Sequence, residues 1–365
     1  MLPTVKFSTK DTAQFFTTLR QRVNTYFEEN NLPRTGNRKM VVKTISMFAI
    51  LLVPYFLILS NTLPLWIMWL MCIVMGLGSA GIGFSVMHDA NHGAYTRNET
   101  INKLLGLSVN FAGGSAFTWK IQHNYLHHTY TNIYELDEDV NDKPILRLSP
   151  HGKLLGIHKY QHIYAPFLYT LATIGWVTKK DFAQLIKYNR EGLTEKMGYD
   201  PTAETIKMIG SKVFYYIFIC VIPLMVVDIT FWQWFAGFLS MHAVLGLLVT
   251  AVFQLAHVVE GPTHHEPTLS GKMDNTWAIH QLETTADFAR NSALLGWFIG
   301  GLNFQVEHHL FPKICHVHYP DISEIVKQTA KEFNLPYHDQ KTFFSAFRSH
   351  LRILKAFGRN EQVPA

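Results

Sequence analysis

Seven histidines of this 365-residue chain fall into three tight groups, each just outside a long apolar stretch. His88 and His92 sit in HDANH, His123, His127 and His128 in HNYLHH, and His308 and His309 end QVEHH. Imidazole suits iron, copper, zinc and nickel, and one ion takes only about three to six ligands. Residues at i and i+4 share a helix face, so His88/His92 and His123/His127 can each converge on one ion. Adjacent residues point about 100° apart, so the doublets His127–His128 and His308–His309 fork toward two ions. A lone histidine beside apolar sequence is ordinarily a satisfied core residue. Three clusters beside membrane-length segments are a different matter, because buried imidazoles without partners are costly. The pattern is a nitrogen-rich, two-metal site.

The elements that must position these rings are helices. The hydrophobic fraction, 48%, is ordinary for a soluble protein, but the apolar residues are concentrated in two blocks, 40–87 and 213–259. The first is broken at Asn61-Thr62-Leu63-Pro64 and the second near Asp228. Each block holds two helices of about 20 residues, the length that crosses a bilayer. The expected spans are about 41–60, 65–87, 212–229 and 232–257. No polar, small-residue cleavage site follows the first block, so it reads as retained helices and not as a signal peptide. Two shorter runs, Ile101 to Phe117 with Gly113 and Gly114, and Ile163 to Val177 with Pro166, are broken by helix breakers and belong at the interface or packed beneath the metal site.

Charge sets the expected topology. Lys6, Lys10, Arg20, Arg22, Arg34, Arg38 and Lys39 precede the first span, while the short links inside the two blocks carry no basic residue. The positive-inside rule puts the N-terminus in the cytoplasm, and four crossings then bring all three clusters and the C-terminus to that face. The expectation is an all-α integral membrane protein, one domain over 1–365, with four transmembrane helices in two hairpins. A cytoplasmic helical cap, 88–211 and 258–365, carries the metal site.

Cys72, Cys220 and Cys315 are scattered and form no CxxC pair or disulfide framework. The net charge of +5 fits anionic lipid headgroups or an acidic electron donor and offers nothing specific to nucleic acid. An all-imidazole ligand set suits divalent iron and chemistry with dioxygen. No HExxH arrangement supports a zinc protease. Redox metals at a membrane face point to oxidation of an unactivated hydrocarbon dissolved in the lipid.

HDANH, HNYLHH with the following TNIYELDEDV, and GGLNFQVEHHLFP closely resemble the three histidine boxes of membrane fatty acid desaturases. The resemblance runs from about Thr44 to Tyr319. Gln305, where the commoner pattern has a histidine, is similar to the branch of front-end acyl desaturases and their acyl-CoA relatives. The resemblance implies a non-haem centre of two Fe, O2 as co-substrate, and electrons from cytochrome b5 or ferredoxin with its reductase. It makes His88, His92, His123, His127, His128, His308 and His309 iron ligands, and His257, in QLAHVVE at the end of the last span, an eighth. Gln305 is then a weak ligand or one that acts through water. Ligating imidazoles normally give their second N–H to a carboxylate or carbonyl, a task for which Asp89, Asp137, Asp139, Asp287 and Glu307 are placed, with Asn132 and Thr131 in support. The acidic loop Glu135 to Asp142 also has a plain reading as a solvated surface.

Many front-end desaturases carry a fused cytochrome b5 with an HPGG motif, and no HPGG occurs here. The electron donor is therefore expected to be a separate protein; Lys179 and Lys180, with Lys187 and Arg190, read as a dock for it or for an acyl carrier's phosphates, or equally as a solvated basic face. The expected activity is O2-dependent desaturation of a fatty acyl chain carried on CoA, carrier protein or lipid. The expected locale is a bacterial inner membrane, or an ER-type membrane if the source is eukaryotic. A di-iron lipid or alkane hydroxylase is the alternative enzyme. A membrane metal sensor or zinc-dependent receptor or transporter is the alternative from another class, though the spans hold almost no polar residues beyond Asp228 and His242.

Overall fold

The computed structural model describes residues 5–9, 14–141, 143, 145–266 and 271–361, so Lys10 and Asp142 lie outside the described residues. Among the described residues, four helices are long and apolar enough to cross a membrane: Arg38–Leu59, Leu65–Asn91, Pro201–Val226 and Phe231–His257. Between 22% and 44% of each apolar window is buried, so most of these helical surfaces are free to face lipid. Phe56, Trp66, Met225 and Trp232 are among the large apolar side chains left exposed there.

The third of these helices begins well upstream of the 212 expected. Asp200 accepts a capping hydrogen bond from Ala203 N at 2.7 Å, and Pro201 fills the first turn, where its missing N–H costs nothing. At the expected start stands Lys212, whose ammonium is buried and donates to the carbonyls of Gly113 and Trp176 and to Asp181 Oδ2 at 2.5 Å. Gly113 adopts φ 74°, the left-handed turn that ends the broken run before box two. Neither short apolar run forms a membrane-length helix.

By contacts the chain divides into two compact units that interleave in sequence. One comprises residues 37–121 and 166–250 and holds most of the four apolar helices. Within it the first two spans touch at Gly78, where an added Cβ would lie 2.6 Å from Leu51 N. Gly76 meets Met241 O of the fourth span just as closely, at 2.6 Å from a built Cβ. Tyr55 Oη donates to Phe218 O at 2.8 Å and Trp69 Nε1 to Ser240 Oγ at 2.8 Å, satisfying polar groups where lipid offers no partner.

The other unit comprises residues 1–36, 122–165 and 251–365. Its first helix, Phe15–Glu29, buries Phe15, Leu19, Val23 and Phe27, an i, i+4 stripe. That stripe joins a core with Val306 and Leu310 of Gln305–Leu310 and Ile322, Val326 and Ala330 of Tyr319–Glu332. The expectation of an all-α protein needs one amendment here. Ala286–Phe288 and His338–Gln340 form a short parallel pair, Asp287 opposite Asp339, within a mostly helical chain.

Candidate metal centre

Box one follows directly on a π-helical turn, Gly83–Met87, that leads into His88–Asn91. His88 and His92 face one another at 4.8 Å between ring centroids, and both rings stand edge-on to Trp119. Asp89 Oδ1 lies 3.6 Å from His88 Nδ1.

Box two is wound as a π-helix over Lys120–His127. This adds a second pairing to the spacing argument, since ligand atoms of His123 and His127 still lie within 4.8 Å of each other. The i, i+4 pair His123/His127 stacks its rings at 5.2 Å and 24°. At i, i+5, His123 Nε2 also lies 3.2 Å from His128 Nε2, where the wider winding brings the two rings together. His308 Nε2 lies 3.4 Å from the same His123 nitrogen. Two ligands bound at about 2.1 Å to one ion stand roughly 3 to 3.4 Å apart, so these separations suit a shared metal.

The doublets part as neighbouring helix positions must. While His128 and His308 turn to His123, His127 and His309 meet His257 in a second cluster, with one ligand atom of each within 4.8 Å of the others. All three rings are buried, and each outer nitrogen is already committed. His127 Nδ1 donates to Asp137 Oδ2 at 2.9 Å, His257 Nδ1 to Thr284 O at 3.1 Å, and His309 Nδ1 to Gln281 Oε1 at 2.8 Å. A carboxylate or carbonyl accepts only, so each Nδ1 carries the proton and each Nε2 a lone pair. Nε2 of His127 and of His257 is buried with no hydrogen-bond partner. Such orphaned acceptors are costly in a protein interior unless something binds them. The donor set fits a transition-metal ion.

Burial works against charge on His127 and Asp137, but their mutual contact prevails: the His127 imidazolium is raised above its ordinary value and the Asp137 carboxyl is held below. Asp137 also accepts the backbone N–H groups of Asn132 and Asp139, each at 2.9 Å. Asp139 stands 3.6 Å from His127 Nδ1, further than Asp137. Asn132 holds φ 55°, a left-handed turn that asparagine tolerates. Its Nδ2 donates to the carbonyls of His257 and Thr263, each at 3.0 Å, tying the end of the fourth span to box two.

A family model for fatty acid desaturases matches residues 64–341. The chain belongs to the fatty acid desaturase family. A sn-1 linoleoyl-lipid 6-desaturase of Synechocystis sp. is 35% identical over 97% of this chain and 98% of its own. An acyl-lipid (8-3)-desaturase of Physcomitrium patens is 32% identical over 98% of this chain and 74% of its own, and one of Mortierella alpina 31% over 94% and 78%. The protein is a membrane enzyme that desaturates fatty acyl chains, which sets aside the sensor and transporter readings.

Two of the carboxylates expected to support ligand rings do something else in this desaturase. Asp287 accepts Val306 N at 2.9 Å and Tyr337 Oη at 2.6 Å, and the same hydroxyl lies 3.1 Å from Glu307 Oε1. They anchor the backbone and flank of the helix bearing the third box rather than hydrogen-bonding its imidazoles. Burial pushes Asp287 up to about 6, and burial with Asp287 alongside lifts Glu307 well above the carboxylate range. Gln305 is buried, not a surface amide, and its Nε2 donates to Leu302 O at 2.8 Å. Of the other box-three neighbours, His318 Nε2 reaches Thr35 O at 3.3 Å.

Three supports have no signature in the boxes. Gln281, the Thr284 carbonyl and Tyr319 Oη, 3.2 Å from His308 Nδ1, lie far in sequence from the rings they hold or outside any box pattern. The one available signal was the buried polar face of WAIHQLET, unusual for a helix without a partner to satisfy it.

Proposed function

We propose that this desaturase holds two irons through His88, His92, His123, His127, His128, His257, His308 and His309, and uses O2 to introduce a double bond into a lipid-linked acyl chain. The carrying observation is the convergence of His127, His257 and His309 with every outer nitrogen committed as a donor. The lipid-linked substrate is supported by the names of the relatives, which are acyl-lipid or linoleoyl-lipid desaturases.

The bound irons supply, with O2, the oxidising power that removes two hydrogens from adjacent methylenes. The balance is one O2, two electrons and two protons in, two waters and one alkene out. The chain's own contribution is orientation. Asp137, Thr284 O and Gln281 fix the tautomers, so that three Nε2 atoms point inward without rearrangement. Gln305 is placed in support of the third box, through water or weak ligation. Electrons come from a separate cytochrome b5 or ferredoxin. The basic residues before the first span support termini and site on the cytoplasmic side.

The test is elemental analysis of anaerobically purified protein together with lipid profiling of an expression host. Iron near two equivalents per chain and a new double bond in intact lipids are expected. Alanine at His127, His128, His308 or His309 should abolish turnover while leaving membrane insertion intact. Activity in iron-free protein, or a hydroxylated product in place of the alkene, would overturn the reading.

A further inference from the structure

Helix Trp277–Thr284 supports the box histidines through Gln281 and the Thr284 carbonyl. It also carries His280 and Glu283, spaced i, i+3 and so neighbours on its surface. One ligand atom each from His280, Glu283 and His265 lie within 4.8 Å of one another, and none of the three belongs to the proposed iron ligands. We propose that His265, His280 and Glu283 form a separate site for a divalent transition-metal ion of the zinc class.

The hydrogen bonds around the group decide which atoms are available. His280 Nε2 lies 2.8 Å from Thr131 O, which only accepts, so Nε2 is protonated and Nδ1 holds the lone pair. That Nδ1 is buried with no hydrogen-bond partner. Thr263 Oγ1 lies 3.1 Å from Glu283 O and 3.0 Å from His265 Nε2, and with its one proton on Glu283 O it accepts from His265 Nε2. In that arrangement the lone pair of His265 is on Nδ1 as well. Glu283 Oε1 takes Asn275 Nδ2 at 2.7 Å, which orients the carboxylate and leaves Oε2 as the third ligand atom.

The frame is rigid. His265 is bridged to Ile133 in a short parallel ladder, with His265 N donating to Asn132 O and Tyr134 N to His265 O, each at 2.9 Å. Phe7 closes one side of His280 at 5.1 Å between ring centroids, while the partly exposed His265 leaves an approach from solvent. Two neutral imidazoles and one carboxylate, completed by water, are a common zinc ligand set. An ion there would cross-link the 263–265 segment to the helix that holds His309 and His257. Thr131 carries the linkage, since its carbonyl fixes His280 and its hydroxyl lies 2.9 Å from Gln281 Oε1.

The experiment is equilibrium dialysis of the full-length, iron-loaded protein against Zn2+ under anaerobic conditions, with both metals counted. Glu283→Gln keeps Oε1 for Asn275 but removes the charge, and His265→Ala removes a ligand. The wild type should retain one zinc equivalent that both variants lose, with iron unchanged, and zinc should raise the wild-type Tm but not theirs. His309→Ala should keep the zinc equivalent while losing iron, so failure of the iron assignment and failure of this one read out in different counts. In the wild type alone, zinc should also protect His265 from diethyl pyrocarbonate, mapped by peptide mass spectrometry. Equal zinc in wild type and both variants, or unchanged labelling of His265 at saturating zinc, overturns the proposal.

Discussion

Gln281 Oε1 accepts the Nδ1 proton of His309 at 2.8 Å, across 28 residues of sequence, and so fixes which nitrogen of that ring can bind metal. A neutral amide here does what Asp137 does for His127. The two rings are held alike, one by a carboxylate and one by a carbonyl oxygen.

Loss of that acceptor should loosen the metal. Gln281→Leu is expected to weaken iron retention by about 10- to 100-fold, the range for removing a partner behind a ligating imidazole. Gln281→Glu keeps an acceptor and should retain iron. Competition with a chelator, followed by iron counting, separates the two, and equal retention in Gln281→Leu would remove Gln281 from the site.

Gln305 is buried beside the third box, with its amide donating to Leu302 O. Gln305→His should keep the metal and part of the activity, since imidazole is a stronger ligand of similar reach. Gln305→Leu should lose turnover by about 10²-fold, the upper range for a supporting contact at a metal site. Full activity of the leucine variant in a host lipid profile would show that the amide plays no part.

Glu260 ties the end of the fourth span to the C-terminal helix Phe343–Arg359. Its carboxylate accepts from Arg352 Nε at 2.7 Å and from Ser349 Oγ at 2.8 Å. The Arg352 hydrogen bond, opposed by partial burial, holds its pKa below the usual 4.5. A depressed carboxyl stabilises the folded state above its unfolded pKa and loses that contribution as pH falls through the folded value. The excess Tm of wild type over Glu260→Gln should therefore be constant from neutrality down to about 4.5 and shrink below it. A difference that grew on acidification would contradict the assignment.

At Gly78 the first two spans are in tight contact, with backbone and not a flexible side chain opposite. Gly78→Ala should force the helices apart and cost about 1–3 kcal/mol, as overpacking in a tight core does. Thermal unfolding in detergent measures this. Gly83, with nothing within 4 Å of a built Cβ, is the control, and Gly83→Ala should change little.

The sequence by itself determined the apolar helices and the chemistry of the rings. Four membrane-length runs are a property of composition over about 20 residues and need no partner to be read. The forking of His127–His128 and His308–His309 follows from the angle between neighbours on any helix, and the structure sends one of each doublet to a different cluster. Asp137 was legible because it lies ten residues from His127, on the same short segment.

Only the tertiary structure decided what lies behind the other rings. Gln281 and the Thr284 carbonyl reach His309 and His257 through chain closure over 28 and 27 residues, which no local pattern encodes. The π winding of Lys120–His127 is likewise invisible to residue type, yet it pairs His123 with His128 instead of with His127 alone. Asp287 and Glu307 look placed to serve imidazoles, but Tyr337 and the Val306 amide claim them first. Residue identity fixes which atoms donate and accept. Packing fixes which partners are within reach, and a buried polar group bonds to whatever the folded chain brings there.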